Sequence, residues 1–401
     1  MEVAVLGYGT VGSGVVEVIR TNQKILNAKA GREIHLKYVL DLRDFPGDPV
    51  EEVLVHDYNV ILNDPEVKIV VEVMGGLKPA YEFTKNALLA GKSVCTSNKE
   101  LVAAHGAELL KIAAEHQCNY FFEASVGGGI PVIRPLNECL VADEILEISG
   151  ILNGTTNYIL TNMEQNGSAF DDVLKKAQEL GYAERNPEAD VEGYDACRKV
   201  AILSSLACGR QVNFEDIHTE GITHITDKDF AYAKAMDATI KLIGTSRKSD
   251  GRFTAMVTPR MLPKSHPLAS VNGVMNAIFI KGNCLGDAMF YGAGAGKLPT
   301  ASAVVSDVVN AAKYWGQTLP CEWAEEKADL KPVSDMKSRF FVRVDLAHKA
   351  KAEQLFTGAR VVTADGLDGE VALVTEEMTE KAFAEKRKEL GEVLSAIRCE
   401  A

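Results

Sequence analysis

The chain is 401 residues long and has no cysteines in CxxC spacing and none set beside histidines as a zinc site requires. Its eight cysteines are scattered, a pattern of reduced thiols in a cytoplasmic protein rather than of a disulfide scaffold. No run of apolar residues approaches the roughly 18 that a membrane span needs, so none is expected. The start, "EVAVLGYG", is strand-like rather than a basic region followed by an apolar one, so no secretory signal is expected. Positive charge is in deficit: 43 Lys and Arg stand against 56 Asp and Glu, a net charge of −13. That balance argues against nucleic acid or an anionic membrane as partner. Low-complexity tracts and repeats of fixed period are also missing. What is present is ordinary globular composition, 46% hydrophobic and 25% charged. The length exceeds one ordinary core and predicts two or three domains.

Along residues 1–130, short apolar runs alternate with helical patterns. "EVAVLG", "IHLKYVLDL", "KIVVEVMGG", "KSVCTSN" and "NYFFEAS" read as strands. "TVGSGVVEVIRTNQKILN", "AYEFTKNALLAG" and "GAELLKIAAEHQ" read as helices. Strict alternation predicts a doubly wound parallel sheet, an α/β domain of Rossmann type. Residues 131–300 mix strands such as "EILEISGILN" and "AIFIKGNCLGDAMFYG" with helices at 168–180, 194–208 and 229–245, which predicts an α+β domain. "TASAVVSDVVNAAKYWG" reads as a helix over 300–316. After a charged, proline-containing stretch near 330, the tail reads strand, helix, strand, strand, helix, the last covering "EKAFAEKRKELGEVLSAI". The resulting division is 1–130, 131–300, a helix at 301–330 returning to the first domain, and a small α+β module at 331–401.

Two kinds of segment carry chemistry. In "GYGTVG", Gly7, Gly9 and Gly12 have GxGxxG spacing between a strand and a helix. Such glycines make a tight turn, let a pyrophosphate approach the backbone and pack helix on strand, with Thr10 and Val11 opening the helix beneath the phosphates. At the end of the next strand, Asp41 could hold a ribose 2′-OH and favour NAD, while Arg43 could pair with a 2′-phosphate and favour NADP. The signals conflict; the balance tips to NADP, with dual use open. A second glycine loop, "YGAGAGKLPTASAV", is not a P-loop, because Lys297 precedes Leu298 rather than Ser or Thr. It reads as a strand-to-helix turn or as backbone, including Gly296, lining the nicotinamide end. The other segment is "YAERNPEADVEGYDACRK", with five carboxylates followed by Lys199 at the head of the apolar run "VAILSSLACG". A solvated face is the ordinary reading of such a run. Here Asp195 and Lys199 share a helix face at i,i+4, and the helix continues as a buried one, which allows a pocket.

Six motifs in order resemble the homoserine dehydrogenase family: "GYGTVG", "TSNKELVA", "EASVGGGIPVI", "GILNGTTNYIL", "GYAERNPEADVEGYDACRK" and "YGAGAGKLPTASAVVSD". They span roughly residues 1–320. The resemblance implies reversible NAD(P)H-dependent reduction of L-aspartate 4-semialdehyde to L-homoserine, on the route to threonine, methionine and isoleucine. It also implies a dimer formed through the sheet of the second domain. Lys199 falls at the family's proton donor, and Lys99 beside nicotinamide and substrate. Glu184 and Asp195 fall at homoserine ligands, with Asp190 shaping that subsite, and Gly181 falls where the family meets the cofactor. Glu188 and Glu192 are left as solvated charges. The resemblance further implies a cation site of Glu123 with the carbonyls of Val126, Gly128 and Ile130. Oxygen-only donors suit a hard monovalent ion such as sodium, not zinc.

The tail, 336–401, resembles the ACT modules that many relatives carry for regulatory amino acids such as threonine. It lacks the usual glycine turn after its first strand, "VRVDLAHKAKAEQ", and is short. A degenerate ACT-like or dimerisation module is therefore weighed equally with one that binds threonine or another regulator. Two rivals to the enzyme reading are a dinucleotide-binding regulator without catalysis and a dehydrogenase of another small amino or hydroxy acid. Lys99, Glu184, Asp195 and Lys199 together weigh against the regulator.

Overall fold

The computed structural model describes residues 1–400. The chain forms two compact units: residues 1–144 with 201–214 and 290–328, and residues 145–200 with 215–289 and 329 onward.

The first unit is built on strands β1 (Glu2–Leu6), β2 (His35–Leu40), β3 (Leu54–Val55), β4 (Val67–Glu72), β5 (Ser93–Thr96) and β6 (Tyr120–Phe121). They lie in the order β3-β2-β1-β4-β5-β6, and every pairing is parallel. This is the doubly wound order, with its reversal between β1 and β4, where ligands bind outside the carboxyl ends of the strands. The central strands are buried on both faces, so "VAVL" and "IVVE" read as continuous apolar runs rather than alternating ones. Helix α1 (Thr10–Ala30) covers the sheet with Val15, Val16 and Ile19. The same core takes Val304, Val308, Ala311 and Ala312 from the helix Lys297–Lys313. A Cβ placed on Gly14 would lie 2.8 Å from the Lys297 carbonyl oxygen and 3.0 Å from Ala301 Cβ. The two helices therefore meet backbone to backbone, and only glycine permits it.

In the second unit, β7 (Ile145–Ile151) lies between strands Ala238–Ser249 and Met275–Gly282, antiparallel to both. Ala238–Ser249 pairs along its whole length with Arg252–Pro263. The tail supplies strand Lys337–Asp345, helix Lys349–Leu355, strands Arg360–Val362 and Glu370–Val374, helix Glu380–Leu390 and strand Ser395–Cys399. Ser395–Cys399 and Glu370–Val374 flank Lys337–Asp345, Arg360–Val362 lies outermost, and all three pairings are antiparallel. That is the split β-α-β arrangement of ferredoxin-like folds. It has its own core of Phe340, Val342, Phe356, Leu373 and Phe383. Ser395–Cys399 also pairs in parallel with Arg252–Pro263, through Arg260 with Arg398 and Met261 with Cys399. The tail strands thus extend the sheet of the second unit.

Several expected elements differ in extent. The helix expected over 229–245 is a helix only over Asp227–Ala235. Asp237 at φ +52° ends it, and Ala238–Ser249 is a strand. The first five residues of that strand, "ATIKL", do alternate apolar and polar, but the strand begins only two residues after the helix Asp227–Ala235, and the expected helix ran on through this short signal. The final expected helix breaks at Gly391, φ +90°, and its last residues become the strand Ser395–Cys399. "NYFFEAS" keeps only Tyr120–Phe121 as strand before a single 3₁₀ turn, Glu123–Ser125. "AIFIKGNCLGDAMFYG" is two strands, Met275–Gly282 and Gly286–Ala293, not one. The helix expected from about Thr300 starts at Lys297.

Candidate active site

The glycine loop of the first unit divides its labour as the spacing demands. Gly7 has φ +97°, which only glycine adopts without strain. A Cβ on Gly12 would stand 1.9 Å from the Gly7 carbonyl oxygen, so this glycine lets α1 close on the loop. A Cβ on Gly9 would meet nothing within 4 Å. Gly9 is also the N-cap of α1 and brings no side chain to the end of the helix. The N–H groups of the first turn, where Thr10 and Val11 sit, therefore face an approach that no side-chain cap obstructs. This is the arrangement that takes an anion at a helix N-terminus.

At the end of β2, Asp41 is held by four donors. Tyr8 N–H reaches one oxygen at 2.8 Å, and Arg43 supplies its own N–H at 3.0 Å, Nε at 2.9 Å and Nη2 at 3.0 Å. The Arg43 guanidinium, helped by these N–H groups, holds the Asp41 carboxyl far below the usual carboxylate range. Arg43 itself is exposed and lies 5.1 Å from the Phe45 ring. Its hydrogen bonds brace Asp41 while its outer edge faces solvent.

At the carboxyl ends of β4 and β5, the buried Glu72 accepts Thr96 Oγ1 at 2.7 Å and Met74 N–H at 2.9 Å. Burial raises the Glu72 pKa. Asn98 caps the helix Lys99–Glu115 by accepting Leu101 N–H at 3.1 Å, and its amide donates to Gly76 O at 2.6 Å. Lys99 is the first residue of that helix and is half-buried. Gly296, φ +119°, is the N-cap of the helix Lys297–Lys313.

Glu123 is 3% exposed, and its carboxylate accepts the N–H groups of Val132, Ile133 and Arg134 at 2.6, 2.8 and 2.8 Å. Of about four acceptor positions on a carboxylate, three are filled. Its own N–H donates to Asp307 at 2.9 Å, and Asp307 is paired with Arg134 at 2.5 Å. Val126 and Ile130 are buried, and between them Gly127 and Gly128 both have left-handed backbones, φ +75° and +57°. The Glu123 side chain thus braces the turn that follows.

In the second unit the acid-rich segment folds around the end of β7. Lys199 is 8% exposed and Asp195 6%. Lys199 Nζ donates to Asp195 Oδ2 and to the Leu152 carbonyl, both at 2.7 Å. Asn153 Nδ2 donates to Asp195 Oδ2 at 2.9 Å and to Asp190 Oδ1 at 2.7 Å. The i,i+4 pair is therefore not a surface salt bridge. It is a buried pair whose further hydrogen bonds offset the desolvation of both charges. Thr155 Oγ1 donates to the Tyr182 carbonyl at 2.6 Å and ties the same turn to the start of the acidic segment.

Asp190, Asp195 and Lys199 are thus joined in one network. Glu184 is not part of it: it is exposed in the loop, where its carbonyl accepts Gln178 Nε2 at 3.0 Å. Gly181, φ +75°, is exposed just after the helix Phe170–Glu179. Glu188 is exposed, while Glu192 is half-buried and accepts the Thr223 hydroxyl at 3.1 Å, so only one of the two is a plain solvated charge. The sequence reading named no role for Asn153, Leu152, Glu72 or Asn98. The two asparagines carry a readable signal, since each stands just before a helix as an N-cap. Glu72 and the Leu152 carbonyl carry none.

The family model for homoserine dehydrogenase matches residues 131–309, and that for the homoserine dehydrogenase NAD-binding domain matches residues 7–123. Homoserine dehydrogenase of Bacillus subtilis (strain 168) is 44% identical over 313 residues, 77% of this chain and 72% of that protein. The Synechocystis enzyme is 42% identical over 359 residues, 86% of this chain and 82% of its own. Among solved structures, a homoserine dehydrogenase from Thiobacillus denitrificans superposes with a TM-score of 0.92 at 35% identity, covering 100% of this chain and 98% of that one. A hyperthermophilic archaeal homoserine dehydrogenase in complex with NADPH gives 0.68 at 29%, covering 80% and 99%. With both family models matched in order along the chain and these relatives aligned over most of its length, the chain belongs to the homoserine dehydrogenase family.

Proposed function

We propose that this chain interconverts L-aspartate 4-semialdehyde and L-homoserine with NAD(P)H, on the route to threonine, methionine and isoleucine, and that Lys199 is its proton donor. The observation that carries the assignment of Lys199 is its buried ammonium, held by Asp195 and the Leu152 carbonyl. Bound at the glycine loop, the dinucleotide supplies or receives the hydride. As hydride reaches the aldehyde carbon, negative charge develops on its oxygen. Lys199 has used two of its three N–H bonds on the protein, which leaves one to meet that oxygen and give up a proton. In the reverse direction the neutral amine takes the proton from the hydroxyl. Asp195, Asp190 and Glu184 are carboxylates of the right charge for the substrate ammonium, and Lys99 has the right charge for its carboxylate or for the developing alkoxide.

For the cofactor, Gly7, Gly9, Thr10, Val11 and Gly12 take the pyrophosphate, with Gly181, Gly296 and Lys99 toward the nicotinamide end. Arg43 faces solvent beyond Asp41, and a 2′-phosphate is the group that matches it, which favours NADP. Asp41 already has four donors, so a ribose diol would have to displace Arg43. A monovalent cation, sodium by its donors, fits the carbonyl oxygens of Val126, Gly128 and Ile130. Glu123 has one acceptor position left for it. The protein acts as a homodimer or higher homo-oligomer on a small-molecule substrate in the cytoplasm. Its cysteines are free, as a reducing compartment keeps them.

Absorbance at 340 nm with L-homoserine and NADP or NAD tests the activity, and a rise with homoserine is expected. Folded protein that produces no cofactor-linked change with homoserine, while reducing cofactor with another amino or hydroxy acid, would move the assignment to that substrate. No change with any of them would leave the non-catalytic regulator.

A further inference from the structure

Asn153 stands where two structural duties meet. Its Oδ1 accepts Thr156 N–H at 2.9 Å and so caps the helix Gly154–Asn166. Its Nδ2 donates at once to Asp190 Oδ1 and Asp195 Oδ2. The orientation of the amide follows from these neighbours. A backbone N–H on one side requires an oxygen there, and two carboxylate oxygens on the other require the NH₂ group. Turned over, the side chain would oppose donor to donor at the helix end and acceptor to acceptor at both acids. The cap therefore fixes which end of the amide faces the acids.

The geometry has a second part. Lys199 Nζ bonds to Asp195 Oδ2, the same oxygen that takes Asn153 Nδ2, and to the carbonyl of Leu152, the residue before Asn153. The backbone of Leu152 holds the lysine and the side chain of Asn153 holds its counter-ion. Two carboxylates that would otherwise repel each other share one neutral NH₂ donor. We propose that Asn153 is a positioning residue for the reaction: its amide, locked by the helix cap, sets the orientation of Asp195 and Asp190 and through Asp195 that of the Lys199 ammonium. This rests on Lys199 and Asp195 being the reacting pair.

Asn153→Ser and Asn153→Asp separate the two duties. Ser and Asp are both good N-caps, so each keeps an oxygen for Thr156 N–H. Neither brings the NH₂ group to the acids, and Asp replaces it with a third carboxylate. Steady-state oxidation of homoserine and thermal melting would be measured for both, for Lys199→Ala and Asp195→Asn, and for Asn153→Ser combined with Asp195→Asn. Both Asn153 variants are expected to lose kcat by about 10- to 100-fold, the scale of a misplaced reacting group. Melting temperature should fall less in Asn153→Ser than in Asn153→Asp, which buries a third carboxylate, and the KM for the cofactor should stay near that of the wild type in both. In the double variant, Asn153→Ser should cost less than it does alone, because the carboxylate that carries the effect to Lys199 has gone and only the bond to Asp190 remains to be lost. Wild-type kcat in both variants would overturn the proposal, as would losses that only track the folded fraction or full additivity in the double variant. Wild-type kcat in Lys199→Ala would instead overturn the assignment of the reacting pair.

Discussion

The glycine loop and the acid-lysine cluster solve the problem of holding a charged ligand in opposite ways. The loop of the first unit is built from what is left out. Gly7, Gly9 and Gly12 contribute turn, opening and close approach, and the helix end supplies the N–H groups. The cluster of the second unit is built from charges taken out of water and made tolerable by mutual hydrogen bonds. A backbone site tolerates many changes around it but not the addition of one atom at the wrong place. A buried charge network tolerates volume changes better than the loss of one partner, which strands the others. The second unit repeats this device away from the acids. Arg398 in the tail joins Glu220 and Glu380, and Arg343 joins Asp229 and Glu370.

The largest effect should come from the charge network. Lys199→Ala is expected to reduce kcat by at least about 10²-fold, the low end for loss of a general acid. Circular dichroism should show folded protein, and a loss under threefold would remove Lys199 as the donor. Next comes the contrast within the loop. Gly12→Ala puts a Cβ against the Gly7 carbonyl and should abolish cofactor binding or folding of the first unit. Gly9→Ala meets nothing in the protein and should fold normally while weakening cofactor affinity about tenfold, read by fluorescence titration. Equal behaviour of the two would break the division of labour between these glycines.

A smaller effect concerns acid. Glu220 is largely buried, and hydrogen bonds from His218 and Arg398 outweigh that burial and bring its pKa down to about 2. A carboxylate lowered on folding adds stability above its unfolded pKa, near 4.5, and loses it as pH falls toward 2. Glu220→Gln should therefore be less stable than wild type at pH 7, with the gap narrowing between about pH 4.5 and 2. Urea titrations at several pH values would read it, and a constant gap would remove Glu220 from the charge-built class. The smallest expected effect is at Arg43. Arg43→Ser should raise the KM for NADP several-fold and leave that for NAD nearly unchanged. The opposite pattern would mean that Arg43 serves only to brace Asp41.

The first unit was legible in the sequence because its rules are local. Alternating strands and helices and one glycine spacing gave the sheet and the loop, and both are present. Strand Ala238–Ser249 was misread because it follows the helix Asp227–Ala235 after only two residues and its alternation, in "ATIKL", is short. Of the acid-rich segment, the i,i+4 pair Asp195 and Lys199 was legible as a face, and its burial followed from the apolar run behind it. Asn153 was not legible as a partner of the acids. It lies 37 residues from Asp190 and 42 from Asp195, and only the fold brings them to one amide.

The strand Ser395–Cys399 has a consequence for how the chain is made. It lies between Arg252–Pro263 and Lys337–Asp345, yet it leaves the ribosome after both. Until it arrives, the edge of the long hairpin is covered only by the short strand His218–Thr219 at Met256 and Val257, and Arg260 lacks Glu400, its partner one residue beyond the strand. A nascent chain stalled before this point would present a ready strand edge to its neighbours, the circumstance in which unfinished proteins pair with one another or call on chaperones.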